Sequence, residues 1–104
     1  MTRYTVDAYV VDVLLPDLVG HDRKPGAFLV YLCLWCATEK GSKASVALSL
    51  QEIAVRTGLA KSTVQAALRH LKRRGLLDAA VVASTTQPLR RIARPWAKRG
   101  STVD

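Results

Sequence analysis

The chain has 104 residues, 49% hydrophobic and 23% charged, a balance that suits one folded domain with a modest core and excludes a disordered chain. No apolar run reaches the roughly 18 residues that span a bilayer, and Asp7 and Asp12 interrupt the N-terminal stretch that a secretory signal would keep apolar, so the expected location is the cytoplasm. The net charge is +8, and all of it falls in residues 61–104, where ten Lys and Arg face two Asp, while residues 1–60 hold six charges of each sign. That asymmetry points to an anionic partner, nucleic acid before a membrane surface.

Residues 4–15, YTVDAYVVDVLL, are β-branched and aromatic and read as an extended segment or short strand. PDLVGHDRKPG, residues 16–26, holds two Pro and two Gly and reads as a loop. AFLVYLCLWCATEK then runs apolar to Ala37, too long for a buried strand, with Pro25 well placed just before a helix start. The expectation is a helix over about 26–39. It is apolar nearly all round, so more than one side must be covered, by the N-terminal segment and by a second subunit. Cys33 and Cys36 have the C-x-x-C spacing of a redox pair or half a metal site. A zinc site needs about four ligands, and His21 and His70 are the only histidines. The pair lies inside the apolar run, so both read as buried thiols, and no metal or other cofactor is expected.

GSKAS, residues 41–45, reads as a linker, and Val46–Leu48 is compatible with one short strand. SLQE at 49–52 is a capping box, opening a short helix over about 50–56 that buries Leu50, Ile53 and Ala54 and stops at Gly58. A further helix runs from about Lys61 to Arg74. Stepping about 100° per residue gathers Val64, Ala67, Leu68 and Leu71 into one stripe. Ser62, Gln65, Ala66, Arg69 and Arg73 fall on the opposite face, and Gly75 closes the helix. LLDAAVVAS, residues 76–84, has strand composition, TTQPL turns, and RRIARP, residues 90–95, returns as an arginine-rich second strand.

Two helices joined by a short turn at Gly58 make a helix-turn-helix. Small Ala54 permits a close crossing, and Val64, ten residues on, anchors the second helix against the first. LSLQEIAVRTGLAKSTVQAALRHLKRRGLL resembles the winged helix-turn-helix DNA-binding domains of bacterial regulators, including the IclR and GntR types, and LAKSTV at 59–64 is very similar to IclR-type recognition helices. PGAFLVYLCLWCA is also similar to the first helix of helix-turn-helix proteins related to phage and plasmid replication initiators. The resemblance covers about residues 25–95. It implies a mostly helical α+β fold in one domain over 1–104: a three-helix winged helix-turn-helix core, a C-terminal β-hairpin wing over about 76–95, and the N-terminal extended segment.

The function it implies is sequence-specific binding of double-stranded DNA by a small transcriptional regulator, with helix 61–74 in the major groove. Lys61, Ser62, Thr63 and the helix N-terminus would hold phosphate. Gln65 and Arg69 would read bases, with Ala66 on the same face, and Lys72 and Arg73 would touch the backbone. Arg90, Arg91 and Arg94 of the wing would lie on phosphate or in the minor groove. Gln87 is near the wing tip, which is less basic than is usual in the family. A homodimer on an inverted repeat would form through helix 26–39 and the N-terminal segment.

Plainer readings stand beside these. Arg69, Lys72, Arg73 and Arg74 can simply solvate a helix face, Ser62 and Thr63 can be helix-start residues, and His70 reads as a packing residue. Trp35 reads as core, and Trp96 as docking the C-terminus onto it. A replication or partition module would use the same chemistry, and winged helices also serve as protein–protein adaptors. An enzyme is not expected, since there is no Ser/His/Asp constellation, phosphate-binding glycine loop or metal-ligand cluster. Nor is a membrane partner, because the basic helix has no exposed Trp or Phe stripe.

Overall fold

The computed structural model describes residues 3–41, 46–78 and 89–97. An N-terminal helical segment leads into α1 (Pro25–Gly41), β1 (Val46–Ala47), α2 (Leu50–Thr57), α3 (Lys61–Arg73) and β2 (Leu89–Arg90).

The N-terminus departs from the sequence expectation. In place of an extended segment over 4–15 and a loop over 16–26, residues 8–21 are helical, with wide π-type turns at Val10–Leu14 and Asp17–His21. Burial explains the difference. Val10, Leu14 and Leu18 are buried and Asp12 is exposed. A strand that buried Val10 and Leu14 would bury Asp12 with them, whereas a helix turns Asp12 about 200° away. The segment closes with Asp22 N–H donating to the Asp17 carbonyl at 2.8 Å, and Arg23 follows in the left-handed region at φ 57°.

Pro25 opens α1, where its missing N–H leaves no helical bond unmade. The helix buries Ala27, Phe28, Val30, Tyr31, Leu34 and Trp35. The N-terminal segment, α2 and α3 all pack on it. Its own chain thus covers α1, and Leu29 is its exposed large hydrophobic. Cys33 and Cys36 are half-buried against the core rather than fully buried, and burial pushes the Cys33 thiol pKa up.

The capping box forms as expected: Glu52 N–H donates to Ser49 Oγ at 3.1 Å, and Ser49 N–H to Glu52 Oε1 at 2.9 Å. Gly58, at φ 80°, ends α2 and donates its N–H to the Ala54 carbonyl at 2.8 Å. Glycine takes that conformation without the side-chain clash other residues meet. Val64, Ala67, Leu68 and Leu71 are the buried stripe of α3. Gly75 at φ 73° completes a Schellman closure, with Leu76 N–H on the Leu71 carbonyl at 2.9 Å and Gly75 N–H on that of Lys72 at 3.1 Å.

β1 and β2 pair antiparallel, Val46 with Arg90 and Ala47 with Leu89. Residues after α3 also run antiparallel to those after β2: Leu77 pairs with Ile92, Asp78 N–H donates to the Arg91 carbonyl and Ala93 N–H to that of Leu76, both at 2.9 Å. The rest of the expected hairpin wing, including Gln87, lies outside the described residues. Pro95–Ala97 forms a short 3-10 turn that brings Trp96 onto the core. Its ring stacks 4.4 Å from Tyr9 and 6.4 Å from Trp35, and its Nε1–H donates to Asp7 Oδ2 at 3.1 Å. Trp35 is core, and its Nε1–H reaches the Thr5 carbonyl at 2.8 Å, so Thr5 and Trp96 are both tied to α1 through indoles. Among the described residues, no helix is long and apolar enough to cross a membrane.

Candidate nucleic-acid interface

The buried stripe of α3 fixes the helix by one side, which leaves the other side displayed. Lys61, Ser62, Thr63, Gln65, Ala66, Arg69, Lys72 and Arg73 are all exposed. Among the described residues, Lys61, Gln65, Arg69 and Lys72 have no side-chain hydrogen bond or ion pair. Arg73 Nη2 lies 3.4 Å from His70 Nδ1. The N-cap position is Ala60, whose side chain cannot accept from the first-turn amides. That end of α3 therefore keeps backbone donors and a partial positive charge beside Lys61.

α2 packs against α3, and the Gly58 turn joins them. Residues 42–79 match the IclR helix-turn-helix domain. The match takes in α2, the turn and all of α3. No curated protein and no solved structure matches the chain. The IclR-type helix-turn-helix supports a DNA-binding role, with α3 in the position of the exposed second helix.

The rear of this helix-turn-helix is neutralised by a cluster that the sequence reading did not anticipate. Arg74 pairs with Asp17 and Asp22, His70 Nε2 lies 2.7 Å from Asp22 Oδ2, and His21 Nδ1 lies 2.9 Å from Asp22 Oδ1. Hydrogen bonds from His21, then His70, and the Arg74 guanidinium hold the Asp22 carboxyl down at about 2, against the opposing effect of burial. The bonds to Asp17 chiefly push the Arg74 pKa up. The basic run at 69–74 is thus divided: Arg69, Lys72 and Arg73 face outward, and Arg74 is held at the back. His70 and Arg74, four apart, mark one flank of α3, but nothing in the spacing names Asp22, 48 residues before His70. Ligand atoms of Asp17, His21 and Asp22 lie within 4.8 Å of one another, near enough to share a cation. Arg74 and His70 already satisfy the carboxylates, so the cluster reads as an ion-pair lock.

The three arginines of the return strand separate. Arg90 is 9% exposed, and its Nε–H donates to the Leu48 carbonyl at 2.8 Å. Burial lowers its pKa. The expectation that Arg90 sits on phosphate therefore gives way to a structural role: strand alternation turns Arg90 and Ile92 inward and Arg91 outward. Arg91 is exposed, with Nη1 3.8 Å from Asp78 Oδ2. Arg94 is exposed yet lies over the Trp35 ring, with Cζ 4.1 Å from the centroid.

A cleft of about 360 Å³ opens between the start of α1 and the first turns of α3. Arg23, Lys24 and Gly26 line one wall, and Ser62, Thr63 and Ala66 the other. The helices meet closely here: a Cβ on Gly26 would lie 3.2 Å from Thr63 Cγ2. The sequence placed Arg23 and Lys24 in a loop, with no signal that it borders α3.

Proposed function

We propose that the chain is a sequence-specific double-stranded DNA-binding protein, a small cytoplasmic transcriptional regulator whose α3 lies in the major groove. The observation that carries this reading is the exposed basic face of α3, with Lys61, Arg69 and Lys72 unpaired, within a segment matching the IclR helix-turn-helix domain. Gln65 and Arg69 are its base readers, because their side chains offer the bidentate geometry that adenine and guanine accept. Lys61, Ser62 and Thr63 sit at phosphate near the uncapped helix start, and Lys72 and Arg73 at phosphate further along. Arg91 extends the contact from the return strand.

The regulator acts as a homodimer joined through the N-terminal helical segment. Val11 at 51% exposure, Leu15 at 36% and Val19 at 38% recur every four residues there, next to the buried line of Val10, Leu14 and Leu18. Two recognition helices on an inverted repeat supply the specificity that one lacks. Sedimentation that finds only a monomer at micromolar concentration, free and on DNA, contradicts the dimer.

The reading itself is tested by fluorescence anisotropy on a mixed-sequence duplex at about 50 mM salt. Binding that weakens steeply on salt addition supports it, since Lys and Arg on phosphate release counterions. No binding at that salt, together with capture of an acidic protein, assigns the exposed face to protein–protein contact instead.

A further inference from the structure

The cleft between α1 and α3 is cationic on one side and hydroxyl-bearing on the other. Arg23 and Lys24 are exposed, and among the described residues neither has an ion-pair partner. The two nearest acidic groups in sequence do not cancel them: Asp22 and Asp17 are turned to Arg74, with His70 and His21 beside them. Ser62 and Ala66 across the cleft belong to the exposed face of α3 that carries Arg69, and Thr63 lies on the adjoining flank, in line with His70. A duplex strand bordering the groove that α3 enters would thus pass over the cleft.

We infer that this cleft is a DNA-backbone clamp, in which Arg23 and Lys24 grip phosphate from the α1 side while Ser62 and Thr63 donate hydroxyl hydrogen bonds from the α3 side. The inference rests on the DNA-binding reading of α3 and adds two contact residues lying 37 or more positions before the helix they assist. It extends the footprint into the half of the chain whose net charge is zero. Charge totals hide such a contact, although the carboxylates nearest in sequence, Asp22 and Asp17, are engaged by Arg74. The close approach of Gly26 to Thr63, 3.2 Å from an ideal Cβ, sets the distance between the two walls. The clamp also orients α3. Contacts on phosphate fix the register in which base-reading side chains meet the groove, and carry no sequence information of their own.

The test uses the full chain with Arg23→Gly and Lys24→Gln together. Glycine suits the left-handed conformation at position 23, φ 57°, so the variant removes charge while easing the backbone. Arg3→Ala is the control: it removes one exposed cation near Thr5, which bonds Trp35 in the distal half of α1. Anisotropy is read on duplex DNA from about 50 to 200 mM salt. If each side chain neutralises one phosphate, the log–log slope flattens by about 0.9 per contact, so the wild type loses about ten-fold more affinity over that range than the double variant. That result, equal on all sequences, with an undiminished melting temperature, is the one expected. If the wild type binds and the double variant keeps the slope of the Arg3→Ala control, the clamp is overturned and the role of α3 stands. A loss confined to one preferred sequence would make Arg23 or Lys24 a base reader and overturn the phosphate assignment. Competition by millimolar inorganic phosphate at constant ionic strength would mark a small-anion pocket and overturn the DNA clamp. A wild type that binds no DNA at low salt removes the proposed function and the clamp with it.

Discussion

Asp22 Oδ2 lies 2.7 Å from His70 Nε2, joining the turn before α1 to the back of the candidate recognition helix. An ionised carboxylate can only accept, so the imidazole N–H donates. Arg74 binds the same carboxylate. Asp22→Ala takes the acceptor from His70 and leaves Arg74 with Asp17 alone, and the expected destabilisation in urea unfolding at pH 7 is about 1–3 kcal/mol. The effect depends on pH with a definite sign. The Asp22 carboxyl sits at about 2 in the folded chain against an ordinary 3.8. The unfolded chain takes up this proton first as pH falls, so the contribution is present above 3.8 and is lost on going down through about 2. The stability gap between wild type and Asp22→Ala should narrow over that interval. A gap that stays constant there means the ion-pair lock does not operate.

Arg90 and Arg91 are neighbours with opposite expectations. Arg90→Ala removes a buried hydrogen bond to the Leu48 carbonyl and the packing of the side chain. It should lower stability by about 1–3 kcal/mol and leave the salt slope of DNA binding unchanged. Arg91→Ala should leave the melting temperature alone and flatten the slope by about 0.9, if the side chain rests on one phosphate. Reversed behaviour of the pair would mean that the strand presents its other face.

Gly58 has open space around it, with nothing within 4 Å of an added Cβ, so backbone strain alone decides the effect of a side chain there. Gly58→Ala at φ 80° should cost about 1–2 kcal/mol, read as a lower denaturation midpoint at constant m-value. Gly58→Asn should cost less, because asparagine tolerates the left-handed region better. Equal melting for all three residues would place the turn elsewhere.

Trp96 links the N-terminal helical segment to α1 by stacking on both Tyr9 and Trp35. Since it is only half-buried, Trp96→Ala should destabilise by about 1–3 kcal/mol, less than a fully buried tryptophan. It should also raise the iodide quenching of the remaining Trp35. Unchanged quenching would show that the C-terminal turn does not shield the Trp35 ring.

The helix-turn-helix was legible because its signals are local. The Ser49–Glu52 capping box, the Gly58 turn and the 64/67/68/71 stripe all lie within a few turns of one another, and each forms as its spacing implies. The N-terminal segment misled because Val10, Val11 and Val13 favour strands by composition, while tertiary burial of Val10, Leu14 and Leu18 chose a helix. Arg90 misled because strand alternation assigns faces only once register is known, and Ile92 shares its inward side. Asp22–His70 and the Arg23–Lys24 cleft join residues far apart in sequence. No periodicity reports such pairs; they exist only after α1 and α3 pack.

On the proposed function, the exposed face of α3 reads DNA. The most direct test selects binding sites from a random duplex library with the wild type and with Arg69→Ala, then measures both proteins on the recovered sequence. The prediction is an enriched site for the wild type, and for Arg69→Ala the same site with one base pair relaxed and binding weaker by roughly 1–3 kcal/mol. No enriched sequence, or an Arg69→Ala loss that is equal on every duplex, would contradict it.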